Sequence, residues 1–167
     1  MNAIGHVDVP LFTGHSENQF LSFELAGEQY AVDILKVQEI RRWEAVREIP
    51  NTPAYVKGVW NLRGNIVPII DLRSRFALKE LEFTAVTVVV VVSVECNASK
   101  LLLGIATDSV SDVIHIDPTQ IKTDIDLGSA VDTHFIKGML AGERVVVLLD
   151  VDRLLDSDEL MRLEQAV

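Results

Sequence analysis

The chain has 167 residues, 49% of them hydrophobic, and carries 25 Asp and Glu against 15 Lys and Arg, a net charge of -10. That length suits one domain, or two small modules sharing a core. The acidic excess repels nucleic-acid phosphates and anionic lipid alike, so neither nucleic acid nor membrane insertion is expected, and protein partners are.

Residues 1–18 show no sustained periodicity and read as a flexible lead-in. From Gln19, Phe20, Phe23 and Leu25 alternate with Ser22 and Glu24 as a strand; Ala26-Gly27-Glu28 turns the chain, and Gln29 to Ile34 returns as its hairpin partner. Asp33 then caps a predicted short helix, because Ile34, Val37 and Ile40 lie three apart while Lys36 and Glu39 share another face. Arg41 to Ile49 reads as extended. Pro50 and Pro53 break it. Gly58 to Leu62 and Asn65 to Ile70 form a second hairpin around Arg63-Gly64, and Arg73 to Leu81 links onward. Glu82 to Val94 and Leu101 to Ala106 form a third around Cys96-Asn97-Ala98-Ser99. The run Val86 to Val94 is β-branched and far short of the about 20 apolar residues of a membrane span, so it reads as a buried strand. Val110 to Ile116, Ile136 to Leu140 and Arg144 to Val151 are further strands, and a C-terminal helix is expected from Asp158 to Ala166 within 157–166.

An internal repeat underlies this order. Tyr30-Ala31-Val32-Asp33-Ile34 followed by Val37 matches Leu103-Gly104-Ile105-Ala106-Thr107 followed by Val110, with a seven-residue step in both. Val56-Lys57-Gly58 before Ile69-Ile70-Asp71-Leu72 matches Ile136-Lys137-Gly138 before Leu148-Leu149-Asp150-Val151; the Gly-to-Asp distances are 13 and 12. The repeat predicts a mainly β fold of two like-built small barrels, approximately 19–80 and 82–155, with a binding groove between them.

Motifs for chemistry are sparse. No two of His6, His15, His115 and His134 stand at the i, i+4 spacing of a helical metal site. Cys96, the single cysteine, excludes an intramolecular disulfide and suits a reducing cytoplasm. No Gly-x-Ser-x-Gly turn or phosphate-binding glycine loop occurs, and neither cofactor nor metal is expected. Asp108 and Asp112 are the nearest approach to paired carboxylates; they carry the alternative of a small-ligand-binding or hydrolytic barrel, against the plainer reading of turn and edge residues.

Several ordered segments together resemble the CheW family of chemotaxis adaptors: Asp33 to Ile40, Pro50 to Gly58, Asn61 to Gly64, Val67 to Leu72, Asp108 to Val113 and Leu154 to Glu159. The similarity covers about residues 19–165. It implies two intertwined SH3-like five-stranded barrels and a cytoplasmic scaffold without catalysis. Its implied partners are the regulatory domain of the histidine kinase CheA and the cytoplasmic tip of methyl-accepting chemotaxis receptors, within arrays beneath the membrane. By the same resemblance, Val37, Glu39, Gly58 and Arg63 line the receptor-facing surface, with Val110 and Val113 from the second module. Glu39 and Arg63 are opposite charges that closure of the fold is expected to pair, with Arg63 gripping the carboxylate bidentately. Val37 reads either as a partly exposed contact or as core. Gly58 is expected to permit a close backbone approach or to hold a positive φ.

Overall fold

Residues 7–8, 18–75, 84, 86–96, 99–123, 134–155, 158–159 and 162 are described by the computed structural model of the chain. Twelve strands are present among them: β1 (Val7–Asp8), β2 (Gln19–Leu25), β3 (Glu28–Asp33), β4 (Val37–Arg42), β5 (Val56–Leu62), β6 (Asn65–Asp71), β7 (Val88–Cys96), β8 (Ser99–Thr107), β9 (Ser109–His115), β10 (Ile121–Lys122), β11 (Ile136–Leu140) and β12 (Val146–Leu149). An α-helical turn, α1 (Leu72–Arg75), follows β6; 3-10 turns occupy Ile34–Lys36, Pro118–Gln120 and Val151–Arg153.

The strands form two six-stranded sheets, ordered β1-β4-β7-β8-β6-β5 and β10-β11-β12-β3-β2-β9. The mainly β, two-module fold is thus present, with each module an open sheet rather than a closed barrel. Setting aside β1 and β10, each sheet has the same five-strand plan, and the repeat maps one onto the other. Ile69 pairs with Gly104 and Ile70 with Ile105 across the parallel β6–β8 ladder; their counterparts Leu148 with Ala31 and Leu149 with Val32 pair across β12–β3. Even the irregularities recur. A bulge interrupts β4 between Val37 and Glu39 and β9 between Val110 and Asp112, opposite the Ser22/Phe23 step of β2; others interrupt β5 before Gly58 and β11 before Gly138.

The sheets do not coincide with the sequence halves. Hairpin β2–β3 joins the sheet of β9, β11 and β12, and hairpin β7–β8 joins that of β4, β5 and β6. The two halves are therefore interleaved. One large apolar core lies between the sheets, with Phe23, Leu25 and Val32 from one and Ile70, Val90 and Ile105 from the other. A smaller cluster, including Trp60, Ile69, Val89 and Val91, fills the opposite face of the first sheet, and Phe20, Ala31, Ile116 and Leu148 fill that of the second. Because β7 is buried on both faces, Val88, Val90 and Val92 face one core while Val89 and Val91 face another, which is why its sequence is a continuous apolar run.

Three expectations need correction. The short helix after Asp33 is only a 3-10 turn, capped by the Asp33 side chain accepting from the Leu35 N–H at 2.9 Å. Val37 then enters β4, and the bulge brings Val37 and Ile40 to the same core, so a strand imitates the three-residue spacing of a helix. Second, Val7–Asp8 of the expected lead-in pairs with Ile40 and Glu39 as an edge strand. Third, Cys96 ends β7, opposite Ser99, rather than sitting in the loop. The remainder of the lead-in, and the C-terminal helix except 158, 159 and 162, lie outside the described residues.

Candidate functional site

The site candidates fall into two groups set by the two faces of β4. On one face Val37 is 4% exposed and packs into the central core, where Val110 and Val113 of β9 pack against the same cluster from the other sheet. Val37 is therefore core; Val110 and Val113 are half-buried. On the other face, Glu39 and Arg41 stand two residues apart along the strand.

Glu39 is buried beneath two arginines. Arg63 Nη2 donates to its Oε2, and Arg41 Nη1 donates to its Oε1 at 3.1 Å. The expected pairing of Glu39 with Arg63 is present, but it is shared: each carboxylate oxygen holds a different guanidinium, so Arg63 does not grip it bidentately. Burial alone would raise the Glu39 carboxyl; hydrogen bonds from Arg63 and Arg41, with their charge, outweigh it and hold the group below the usual glutamate range. Arg41 also reaches Glu44 Oε1 at 3.5 Å. Arg63 occupies the β5–β6 turn at φ 52°, and its side chain remains 69% exposed. The result is an exposed cation anchored at its base to a buried anion.

Gly58 belongs to neither group. It has φ +150°, and a Cβ built there would lie 2.5 Å from the Arg47 carbonyl oxygen and 2.8 Å from Val46 Cβ. The close backbone approach predicted for it is internal: Arg47 and Val59 exchange N–H···O bonds of 3.0 and 2.9 Å across this crossing.

Arg41 and Glu44 escaped the sequence reading. Reading Ile34 to Ile40 as a short helix concealed the alternation that puts Glu39 and Arg41 side by side.

The carboxylate alternative does not assemble. Asp108 Oδ2 accepts from Arg73 Nη2 and from the Ala26 N–H at 2.9 Å. Asp112 is exposed on β9, and its Oδ1 accepts from the Val113 N–H at 2.8 Å. One carboxylate is paired with an arginine and the other accepts from its own strand, so each is engaged separately. A cavity of about 140 Å³ is lined by Asp33, Lys36, Lys137, Leu149, Asp150, Val151 and Asp152; ligand sites occupy roughly 300–1,000 Å³. Among the described residues no cluster of His, Cys, Asp and Glu could hold a metal ion. No helix among them is long and apolar enough to cross a membrane.

Comparison with known proteins agrees over nearly the whole fold. A Chemotaxis protein CheW from Klebsiella aerogenes is 44% identical over 143 residues, covering 85% of this chain and 84% of that one. The Treponema pallidum protein of the same name is 33% identical over 159 residues, 95% of this chain and 94% of that one. The crystal structure of scaffolding protein TtCheW from Thermoanaerobacter tengcongensis superposes with a TM-score of 0.72 at 28% identity, covering 85% of this chain and 94% of that chain. A family model described as CheW-like domain matches residues 19–159, most of the chain, and with these relatives it establishes that the chain belongs to the CheW-like domain family.

Proposed function

We propose that this chain is a non-enzymatic chemotaxis scaffold that couples the cytoplasmic tips of methyl-accepting receptors to the histidine kinase CheA. Its likeness to proteins named for chemotaxis and to a scaffolding protein supports the role. The single structural observation that carries a docking role is the Arg63–Glu39 arrangement. A guanidinium 69% exposed is held in place by a carboxylate 5% exposed, so its position is fixed before a partner arrives. Preorganisation of this kind lowers the entropic cost of binding, and an exposed fixed charge sets the register of a docking helix pair. The half-buried Val110 and Val113 offer apolar contact from the second sheet. Val37 lies in the core and Gly58 at the internal Arg47 crossing, so neither is offered to the partner.

The test is a pull-down with a receptor-tip fragment and, separately, with the kinase's regulatory domain. Arg63→Glu is expected to abolish receptor capture, leave kinase capture intact and keep the wild-type circular dichroism spectrum. Unchanged receptor capture would overturn the assignment of this surface, and capture of neither partner by the unaltered chain would overturn the function. Residence in the cytoplasm, beside membrane-bound receptor arrays, belongs to the same proposal.

A further inference from the structure

At the place of Arg41 the fold itself accepts an aliphatic side chain. The ladders set β4 against β9 step for step past their bulges. Glu39 lies opposite Val91 and Arg41 opposite Val89 of β7. At the equivalent steps Asp112 lies opposite Ser22 and Ile114 opposite Phe20 of β2. Ile114, the counterpart of Arg41, packs against the apolar cluster of Phe20, Ala31, Ile116 and Leu148. The second sheet thus fills with an isoleucine the position that the first sheet gives to an arginine. That arginine is not fully satisfied: its Nε is buried and meets no acceptor among the described residues. An unpaired buried donor costs stability, a cost that an aliphatic residue would not incur.

The carboxylates beside them differ in the same way. Asp112 is exposed, and its Oδ1 accepts from the Val113 N–H of its own strand at 2.8 Å. Glu39 is buried, so both of its oxygens need donors from the protein. Arg63 alone has enough donors to serve both, because a guanidinium can grip a carboxylate through two parallel N–H···O bonds. It does not do so. Arg41 Nη1 occupies Oε1 at 3.1 Å, and Arg63 Nη2 reaches only Oε2. Glu44 Oε1, 3.5 Å from Arg41 Nη2, holds the other end of the Arg41 guanidinium and keeps it from swinging away. The side chain of Arg41 is itself sheltered, whereas that of Arg63 stays largely exposed.

We propose that Arg41 is a positioning residue for the docking surface: by occupying Oε1 of Glu39 it confines Arg63 to Oε2 and keeps the Arg63 guanidinium turned outward to the receptor. The inference rests on the reading of Arg63 as the receptor-facing cation. Without Arg41, Oε1 is a buried acceptor lacking a donor, and Arg63 has donors left to fill it. Drawn inward to hold both oxygens, Arg63 withdraws those donors from the partner and loses the fixed outward position that lowers the cost of binding. Arg41 therefore acts on receptor binding through Glu39 and Arg63, without itself being offered to the partner.

The experiment uses the full-length chain with Arg41→Ile, which places at this step the residue type that β9 carries, with Arg41→Lys, and with Arg63→Glu as the reference. Each is tested for capture of the receptor-tip fragment and, separately, of the kinase's regulatory domain. Nitrogen NMR of the labelled arginine side chains follows rotation about the Arg63 Cζ–Nε bond. Arg41→Ile is expected to lower receptor capture several-fold, to leave kinase capture unchanged and to slow the Arg63 rotation, since a two-oxygen grip locks the guanidinium. Arg41→Lys returns a cation to Oε1 and should regain part of the capture. Full receptor capture by Arg41→Ile, alongside its loss in Arg63→Glu, would overturn the positioning role and leave the docking surface standing. Full capture by Arg63→Glu as well would remove the docking surface on which the role depends. Loss of kinase capture together with receptor capture, or Arg63 rotation unchanged by Arg41→Ile, would make Arg41 merely structural and overturn the role too.

Discussion

Tyr55 and Phe135 hold equivalent places in the two repeats, and both turn their rings to the same guanidinium, that of Arg75, at 5.4 and 5.9 Å. Arg75 also donates from Nε to the Leu154 carbonyl at 3.1 Å, and its side chain is 23% exposed. It therefore ties α1 of the first half to the segments before β11 and after β12 of the second. Two partly sheltered cation–π contacts and a charge-assisted hydrogen bond together contribute about 2–3 kcal/mol. Arg75→Ala is expected to lower the unfolding free energy by about that amount. Arg75→Lys should recover only part, since an ammonium lacks the planar stack. Equilibrium urea unfolding of both variants measures it.

Glu39 makes stability depend on pH in a definite direction. Its folded pKa is depressed by Arg63 and Arg41, so the unfolded chain takes up the proton first. Its contribution is fully present above the ordinary glutamate value and is lost as pH falls through the lower, folded value. Glu39→Gln should therefore be less stable than the unaltered chain at pH 7. The gap should narrow on acidification to about pH 3, below the ordinary glutamate value of about 4.3. A gap that stayed constant with pH would show that the carboxylate charge contributes nothing.

Two glycines separate backbone strain from steric conflict. Gly27 has φ +81° with open space about it, and Gly58 has φ +150° with the Arg47 backbone 2.5 Å from a built Cβ. Gly27→Ala should cost about 1–2 kcal/mol, the penalty of the left-handed region alone. Gly58→Ala should cost more, because a backbone crossing must open as well as the conformation strain. Melting temperatures of the two variants, compared side by side, decide it.

Val37 and Val113 distinguish interior support from surface contact. Val37 is buried and Val113 half-buried. Val37→Ala is expected to cost about 2 kcal/mol in unfolding free energy, from two lost methyl groups and the space left behind, and Val113→Ala clearly less. Receptor capture should be more sensitive to Val113→Ala once both variants are held well below their melting temperatures.

The repeat was legible because both its copies face the same physical demands. Ile69-Ile70-Asp71 and Leu148-Leu149-Asp150 each end a strand that must bury two apolar residues and then cap a turn, so they keep the same residue types at the same spacing. The pairing of Glu39 with Arg63 was anticipated as opposite charges that closure of the fold brings together. The failure at Val37 has a definite cause: a bulge changes the period of a strand from two toward three, and no local pattern distinguishes that from a helical turn.

By itself the sequence determined the strand-forming runs, the turns and the twofold plan, because alternation, β-branching and turn residues act over a few neighbours. Only the tertiary structure decided which hairpin joins which sheet, and that Arg41 divides the Glu39 carboxylate with Arg63. The hairpin exchange and the Arg63 contact depend on partners tens of residues away, which meet only once the two sheets pack together.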